Sequence, residues 1–287
     1  MDGNNVPKTG LHYDVPFEEY QSWDAVNNSV LKLLSDQSPA HAKQYIDEGR
    51  PDTPALMFGR AADCYLLEPG RFMEQYAIAP VCDKRTKEGK SKWAEFAASL
   101  RPGQDYIGAE EYNRIIQIYN MISGSTAMRL IKGGFSQVCC VWKDTKTGLL
   151  CKARFDYLQP DIPMITDLKT TRSANPERFA KDMFTYGYYQ QAGFYCMGYR
   201  AVTGDKMDPP YAIFAIEKEP PFVSSAFELG TYTIEAGKLA ARKALDVYAK
   251  CLETGQWPAY VDKITMLEMP QWALQIAGIG THNLTMI

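Results

Sequence analysis

Residues 152–171 read KARFDYLQPDIPMITDLKTT and place two aspartates and a lysine at a spacing suited to hydrolysis. Pro160 and Pro163 bound a four-residue turn whose midpoint falls at 161.5. In an unbulged antiparallel hairpin, paired residues lie symmetrically about that midpoint, and Asp156 and Asp167 are each 5.5 positions away. The spacing predicts that the two carboxylates face each other, with Cβ atoms about 4.5 to 5.5 Å apart. Carboxylates so close repel unless a divalent cation lies between them. Lys169 is two positions beyond Asp167, hence on the same face of its strand. Two acids and an amine around one point suit metal-assisted phosphodiester hydrolysis. Mg²⁺ or Mn²⁺ on hard oxygen ligands polarises a phosphate and lowers the pKa of a bound water, while a lysine orients that water and stabilises developing charge. A D-x-K triplet is common on its own. Here the facing acid and the apolar neighbours Phe155, Leu158, Ile165 and Leu168 set it apart from a surface ion pair. Apolar strand surroundings do not usually host three uncompensated charges.

The elements that must position these groups follow from patterning. Segments 137–143, 149–158 and 163–169 read as three strands separated by DTKTG and QPDIP. A long helix is expected from Asn175 to about Arg200, with Asn175 as cap, Pro176 in the first position and Glu177 at the positive end. A further strand is expected over 211–218, then a last helix over about 233–253 that stops at Gly255. Upstream, Asn27, Asn28 or Ser29 caps a helix that Ser38-Pro39 interrupts, and further helices are expected over 55–69 and about 109–131. This order reads as a mixed α/β or α+β core with an N-terminal helical addition. Residues 82–93, CDKRTKEGKSKW, hold Lys84, Arg85, Lys87, Lys90 and Lys92 against Asp83 and Glu88. The stretch is read either as a solvated loop or as a phosphate-contacting loop in which Lys84, Arg85, Lys87 and Lys90 touch DNA.

Composition bounds the rest. The chain has 287 residues, 46% hydrophobic and 23% charged, which excludes disorder or a fibrous repeat as its main description. No apolar run approaches the roughly 18 to 20 residues of a membrane span. The N-terminal stretch lacks a basic-then-apolar signal, so a cytoplasmic protein is expected. A net charge of −3 argues against coating nucleic acid by bulk charge but leaves room for a local basic groove. Seven cysteines without a CxxC pair read as small buried hydrophobes, and adjacent Cys139 and Cys140 should point to opposite faces of a strand. His12, His41 and His282 are too scattered for a histidine metal site or a triad.

The hairpin segment resembles the PD-(D/E)XK nuclease superfamily and, within it, the RecE-type exonucleases (exodeoxyribonuclease VIII) of phages and prophages. NNSVLKLLSDQSPAHAK, GRAADCYLLEP, DKRTKEGK, TGLLCKARFDYL, ITDLKTT, YYQQAGFYCMGY and LEMPQWA look like family blocks in the family's order and span most of the chain. The resemblance implies a restriction-endonuclease-like core: a mixed central sheet flanked by helices in a single nuclease domain, 1–287. A mainly helical part occupies 1–135, the catalytic core 136–255 and a tail 256–287. It implies that Asp156 and Asp167 bind metal with the Leu168 carbonyl, that Lys169 is the catalytic lysine, and that Gln191 and Tyr195 form a Q-x-x-x-Y pair that supports the site and contacts DNA. It also implies a Mg²⁺-dependent (Mn²⁺ possible) exonuclease acting on double-stranded DNA ends, 5′ to 3′. Such an enzyme forms a ring-shaped homo-oligomer and leaves single strand for a single-strand-annealing recombinase.

Two positions depart from the pattern. Asp63 stands where the helical G-x-x-x-H block has histidine, and Gln137 stands where related nucleases often have a metal-binding glutamate. Asp63 is expected to compensate in part for the charge missing at Gln137. Three other readings fit these residues: a RecB- or Cas4-like nuclease, a catalytically weakened DNA-end-binding module, and a hairpin that binds Ca²⁺ structurally without a DNA role.

Overall fold

The computed structural model describes residues 7–279; His282 lies outside them. In chain order the first elements are β1 (Gly10–His12), α1 (Phe17–Ser22), α2 (Asn28–Asp36), α3 (Pro39–Glu48) and α4 (Pro54–Leu67). Next come α5 (Phe72–Gln75), β2 (Tyr76–Ala79), α6 (Lys87–Ser99), β3 (Asp105–Gly108) and α7 (Ala109–Ile122). The hairpin region holds β4 (Phe135–Lys143), β5 (Leu150–Gln159) and β6 (Met164–Thr171). The chain continues through α8 (Pro176–Thr185), α9 (Tyr188–Thr203), β7 (Tyr211–Glu217), β8 (Ser224–Glu228), α10 (Thr231–Thr254) and α11 (Gln271–Ile276). Among the described residues the main sheet has six strands in the order β1-β4-β5-β6-β7-β8. Only its β6–β7 pair is parallel, so the sheet is mixed as expected.

Helices cover both faces. On one, Val138, Cys140, Phe155 and Ile165 pack against Phe194, Cys196, Ala241 and Leu245 of α9 and α10. On the other, Tyr157, Leu168, Phe214 and Ile216 pack against Phe58 and Ala61 of α4 and Ile115 and Ile118 of α7. A third cluster, Val15, Tyr20 and Trp23, closes over Cys139 and Val141. Cys139 and Cys140 therefore do point to opposite faces. No helix of the described residues is long and apolar enough to cross a membrane.

Several expected boundaries move, each for a local reason. The single helix expected from Asn175 to Arg200 is two helices, because Gly187 takes φ 69° between them. A left-handed residue ends α8 and lets α9 leave in a new direction. The helix expected to run to 131 ends at Ile122, and Thr126–Ile131 follow as a 3₁₀ turn. The basic stretch is a loop only as far as its Thr86 cap, after which α6 begins at Lys87. Asn27 caps α2 and Pro39 opens α3, as expected.

Distant pairs lock the helical layer onto the sheet. Gly193 on α9 faces Gly237 on α10 so closely that a Cβ on Gly237 would stand 1.9 Å from the Tyr189 carbonyl oxygen. Arg242 on α10 grips Asp144 in the β4–β5 turn; its Nη1 donates to Oδ2 at 2.8 Å, and Thr147 donates from both N and Oγ1 to the same oxygen. Asp144 is only 4% exposed. Burial alone would raise its carboxyl, yet Arg242 and Thr147 hold it well below the usual range. Arg242→Ala strands this buried charge and is expected to cost about 2 to 3 kcal/mol in urea unfolding, just under the roughly 3 to 5 kcal/mol for breaking a fully buried pair because the guanidinium is partly wet. A loss under about 0.5 kcal/mol, the size of a surface substitution, would mean that the grip is ornamental.

Candidate active site

The β5–β6 register is the one the prolines dictate. Tyr157 pairs with Thr166, Leu158 with Ile165 and Gln159 with Met164. The same register points Asp156 at Asp167, but the ladder ends one pair short of them. Direct pairing of the two aspartates is thus corrected to a splayed pair. The Asp156 carboxylate fills the gap, its Oδ2 accepting from the Leu168 N–H at 2.8 Å. The cause lies one strand over. Gln137, in register with Asp156 on the β4 side, takes φ 53° and drops out of the β4–β5 ladder. Inward alternation slips there too: Phe155 and Leu158 both join the α9 side of the core, while Tyr157 joins the other. β5 therefore turns at Asp156 and opens a gap in the sheet.

Parallel pairing with β7 on its far side keeps β6 straight at Asp167, Leu168 and Lys169. Asp167 is 1% exposed. Its Oδ2 lies 2.6 Å from Lys169 Nζ, and its Oδ1 accepts from Gln191 Nε2 at 2.7 Å. Gln191 and Tyr195 sit one turn apart on α9, and the buried Tyr195 ring packs 5.3 Å from Phe155. The Lys169 ammonium also lies 5.1 Å from the centre of the Tyr188 ring. α4 crosses β6 where Gly59 faces Thr170, and Asp63, one turn later, comes within the field of Asp156, Lys169 and Asp167. Hairpin acids, lysine, Q-x-x-x-Y pair and Asp63 are thus brought together.

The electrostatics are those of three acids sharing one cation. Burial, then the Asp167 charge, push Asp156 up to about 7, against the pull of Lys169 and the Leu168 N–H. Burial and the Asp156 charge likewise hold Asp63 well above its ordinary range. Burial would lower the Lys169 ammonium, but Asp167 and Asp156 outweigh it and hold it above the usual lysine range. Lys169 is therefore firmly protonated.

The donor set would suit a hard divalent ion: the carboxylates and the Leu168 carbonyl offer oxygen atoms, the ligand type such an ion prefers, and Mg²⁺ keeps several of its own waters. Among the described residues, no three His, Cys, Asp or Glu side chains converge tightly enough to hold an ion by themselves. Lys169 and Gln191 engage Asp167, and the Leu168 N–H engages Asp156. Gln137 is turned elsewhere: its Oε1 accepts from Arg154 Nε at 2.7 Å.

Asp156, Asp63, Gln137, Gln191 and Tyr195 line a cleft of about 1630 Å³. Arg154, which sequence reasoning passed over, lines it too, and its place in K-A-R-F-D two residues before Asp156 was the available signal. Lys84, Arg85, Lys87 and Lys90 are not among the residues lining the cleft. All four are exposed; Arg85 is tied to Asp83, and Lys84 lies over the Trp93 ring of α6.

A comparison with curated proteins finds no match. Among solved structures, one from Eubacterium rectale, named a putative exonuclease, matches at 15% identity over 92% of this chain and 98% of that one, with a TM-score of 0.62. An alkaline exonuclease from Laribacter hongkongensis matches at 13% identity over 69% of this chain and 91% of that one; its TM-score of 0.29 is too low to bear on the fold. The first likeness is one of fold, with strands and helices in common over nearly the whole length of both chains. Residues 27–270 match the model of a PDDEXK-like domain of unknown function (DUF3799), and with five of the six strands of the mixed sheet and the Asp156–Asp167–Lys169 hairpin inside that span, the chain belongs to this PD-(D/E)XK family.

Proposed function

We propose that the protein is a metal-dependent exonuclease that hydrolyses phosphodiester bonds from the ends of linear duplex DNA and leaves single strand behind. The observation that carries this reading is the Lys169–Asp167 contact at 2.6 Å beside Asp156, at the point where β5 turns away from β6. Asp156, Asp167 and the Leu168 carbonyl would hold Mg²⁺ or Mn²⁺. When bound, such an ion polarises the phosphate and lowers the pKa of a coordinated water. Lys169, kept protonated by two carboxylates, cannot serve as the base; it hydrogen-bonds the attacking water or a phosphate oxygen and stabilises charge that builds on phosphorus. Gln191, bonded to Oδ1, fixes the orientation of the Asp167 carboxylate that would hold the ion. Phe155, Tyr195 and Tyr211 wall the site with apolar surface, which strengthens each of these interactions relative to water.

Substrate ends, 5′ to 3′ polarity, a ring-shaped homo-oligomer and a single-strand-annealing recombinase as partner rest on the RecE-type resemblance. The Eubacterium rectale protein of the same fold bears an exonuclease name, which supports exonucleolytic cleavage and bears on none of the other four. One observation favours a second reading, a weakened nuclease that holds DNA ends: Gln137 brings no charge and is committed to Arg154. Both readings meet in one assay. End-labelled linear duplex, incubated with Mg²⁺, Mn²⁺ or EDTA, is expected to release nucleotides only with metal. Degradation of a closed circle as fast as the linear form would end the exonuclease assignment, and metal-independent release would end the mechanism.

A further inference from the structure

We infer that Arg154 is a phosphate-binding residue of the cleft, and that glutamine at 137 leaves its charge free for the DNA backbone. This rests on the nuclease reading for the identity of the anion.

Arg154 stands two residues before Asp156 on β5 and is held from three sides. Its Nε donates to Gln137 Oε1 at 2.7 Å, and its Nη1 donates to the Val15 carbonyl at 2.9 Å and to Cys139 Sγ at 3.5 Å. The Phe17 and Tyr20 rings lie 5.6 and 5.8 Å from the guanidinium carbon. A guanidinium has five N–H groups in a rigid fork. These contacts use the Nε and Nη1 donors and leave Nη2 bonded to no described residue. No carboxylate pairs with Arg154 among the described residues.

The bracing wall is itself nailed down. Lys152, 3% exposed and two residues earlier on β5, donates from Nζ to the carbonyls of Tyr20, Gln21 and Trp23 at 2.9, 3.0 and 2.6 Å. The contrast between the two cations is informative. Lys152 is saturated by backbone and serves the fold, whereas Arg154 is rigid, half-buried, unpaired and open to the cleft that holds Asp156. Its charge reaches Asp156, where it acts against the upward push of burial. A fixed cation with a spare pair of donors is what a phosphate oxygen next to the cleaved bond requires. Glutamate at 137 would sit on the same Nε and cancel that charge. The neutral amide keeps the brace and spares the cation.

The test separates binding from cleavage. Full-length chain is titrated into fluorescein-labelled linear duplex in Ca²⁺, across a salt series, and hydrolysis is followed separately in Mg²⁺. Arg154→Gln is expected to weaken binding about 10-fold or more and to reduce the slope of log affinity against log salt by about one, as for one lost phosphate contact. Gln137→Glu, which leaves Arg154 in place but pairs it, is expected to shift both readouts in the same direction, and it remains informative if Arg154→Gln fails to fold. Arg154→Lys should keep the salt slope while losing part of the affinity. Unchanged affinity and slope in Gln137→Glu together with a folded Arg154→Gln would overturn the assignment, as would tighter binding by Gln137→Glu. If wild-type chain hydrolyses DNA but neither variant alters binding, only the Arg154 inference falls. If it hydrolyses nothing while binding still follows Arg154, the nuclease reading falls and this one stands.

Discussion

Lys169→Ala is expected to lower metal-dependent DNA hydrolysis by about 10² to 10³-fold, the cost of removing one preorganised electrostatic contact to developing charge. The expectation rests on position and on protonation together. Nζ is fixed 2.6 Å from Asp167 Oδ2, so the ammonium does not search for its place at the moment of reaction. Asp167 and Asp156 keep it charged throughout the neutral range. The rate should therefore follow the ionisation of the acids, not of the lysine. Lys169→Arg keeps the charge but brings a larger planar group into a buried slot beside Tyr188, so it should rescue little. Removing the cation also leaves three carboxylates uncompensated. The alanine variant should melt below wild type in EDTA and gain more than wild type from added Mg²⁺, since the ion then supplies the only positive charge. Full hydrolysis by the alanine variant would remove the lysine from the chemistry and, with it, the proposed mechanism.

Much of the site was legible because its logic is local. A four-residue turn between two prolines fixes a register, and a period of two puts Lys169 beside Asp167. Asn27, Pro39, Asn175 and Gly255 mark helix ends by chemistry that acts within one turn, and all four do so here. What failed was not local. The splay at Asp156 depends on Gln137, a residue on another strand whose left-handed backbone nothing in its own neighbourhood demands. Gly187 did signal the break between α8 and α9, but a glycine inside a periodic pattern is ambiguous until packing decides. Strands β1, β2, β3 and β8 have three to five residues each, too short for alternation to stand out. The basic stretch at 82–93 was conspicuous by composition yet lines no part of the cleft, while a lone arginine inside an apolar strand lies in it. Composition locates charge along the chain; only the fold says which charge is unpaired.

Asp156→Asn should separate function from stability. Hydrolysis is expected to fall about 10³-fold, because a carboxylate that holds the ion becomes a neutral amide. The fold, by contrast, should gain. Asn can still accept the Leu168 N–H through its oxygen, so the bond that fills the gap between β5 and β6 survives. What disappears is one of three crowded charges. In the folded chain Asp156 keeps its proton up to about 7, whereas its ordinary value is 3.8. Between those values the folded state binds the extra proton, so wild-type stability is greatest below the lower one and falls as pH rises through the window. A tenfold difference in proton affinity between folded and unfolded chain corresponds to about 1.4 kcal/mol, so the whole window sets a ceiling of roughly 4 kcal/mol. Partial exposure should bring the gain of the amide nearer to about 1 to 2 kcal/mol at pH ~8. The variant should lose the share of this pH slope that Asp156 contributes and keep what buried Asp63 adds, and saturating Mg²⁺ should raise the melting temperature of wild type far more than that of the variant. An amide variant that melts below wild type in EDTA at pH ~8, or a wild-type melting temperature flat from pH ~5 to ~8, would mean that the acids do not crowd one another. They would then have no need of a cation between them, and the reason for placing an ion there would be gone.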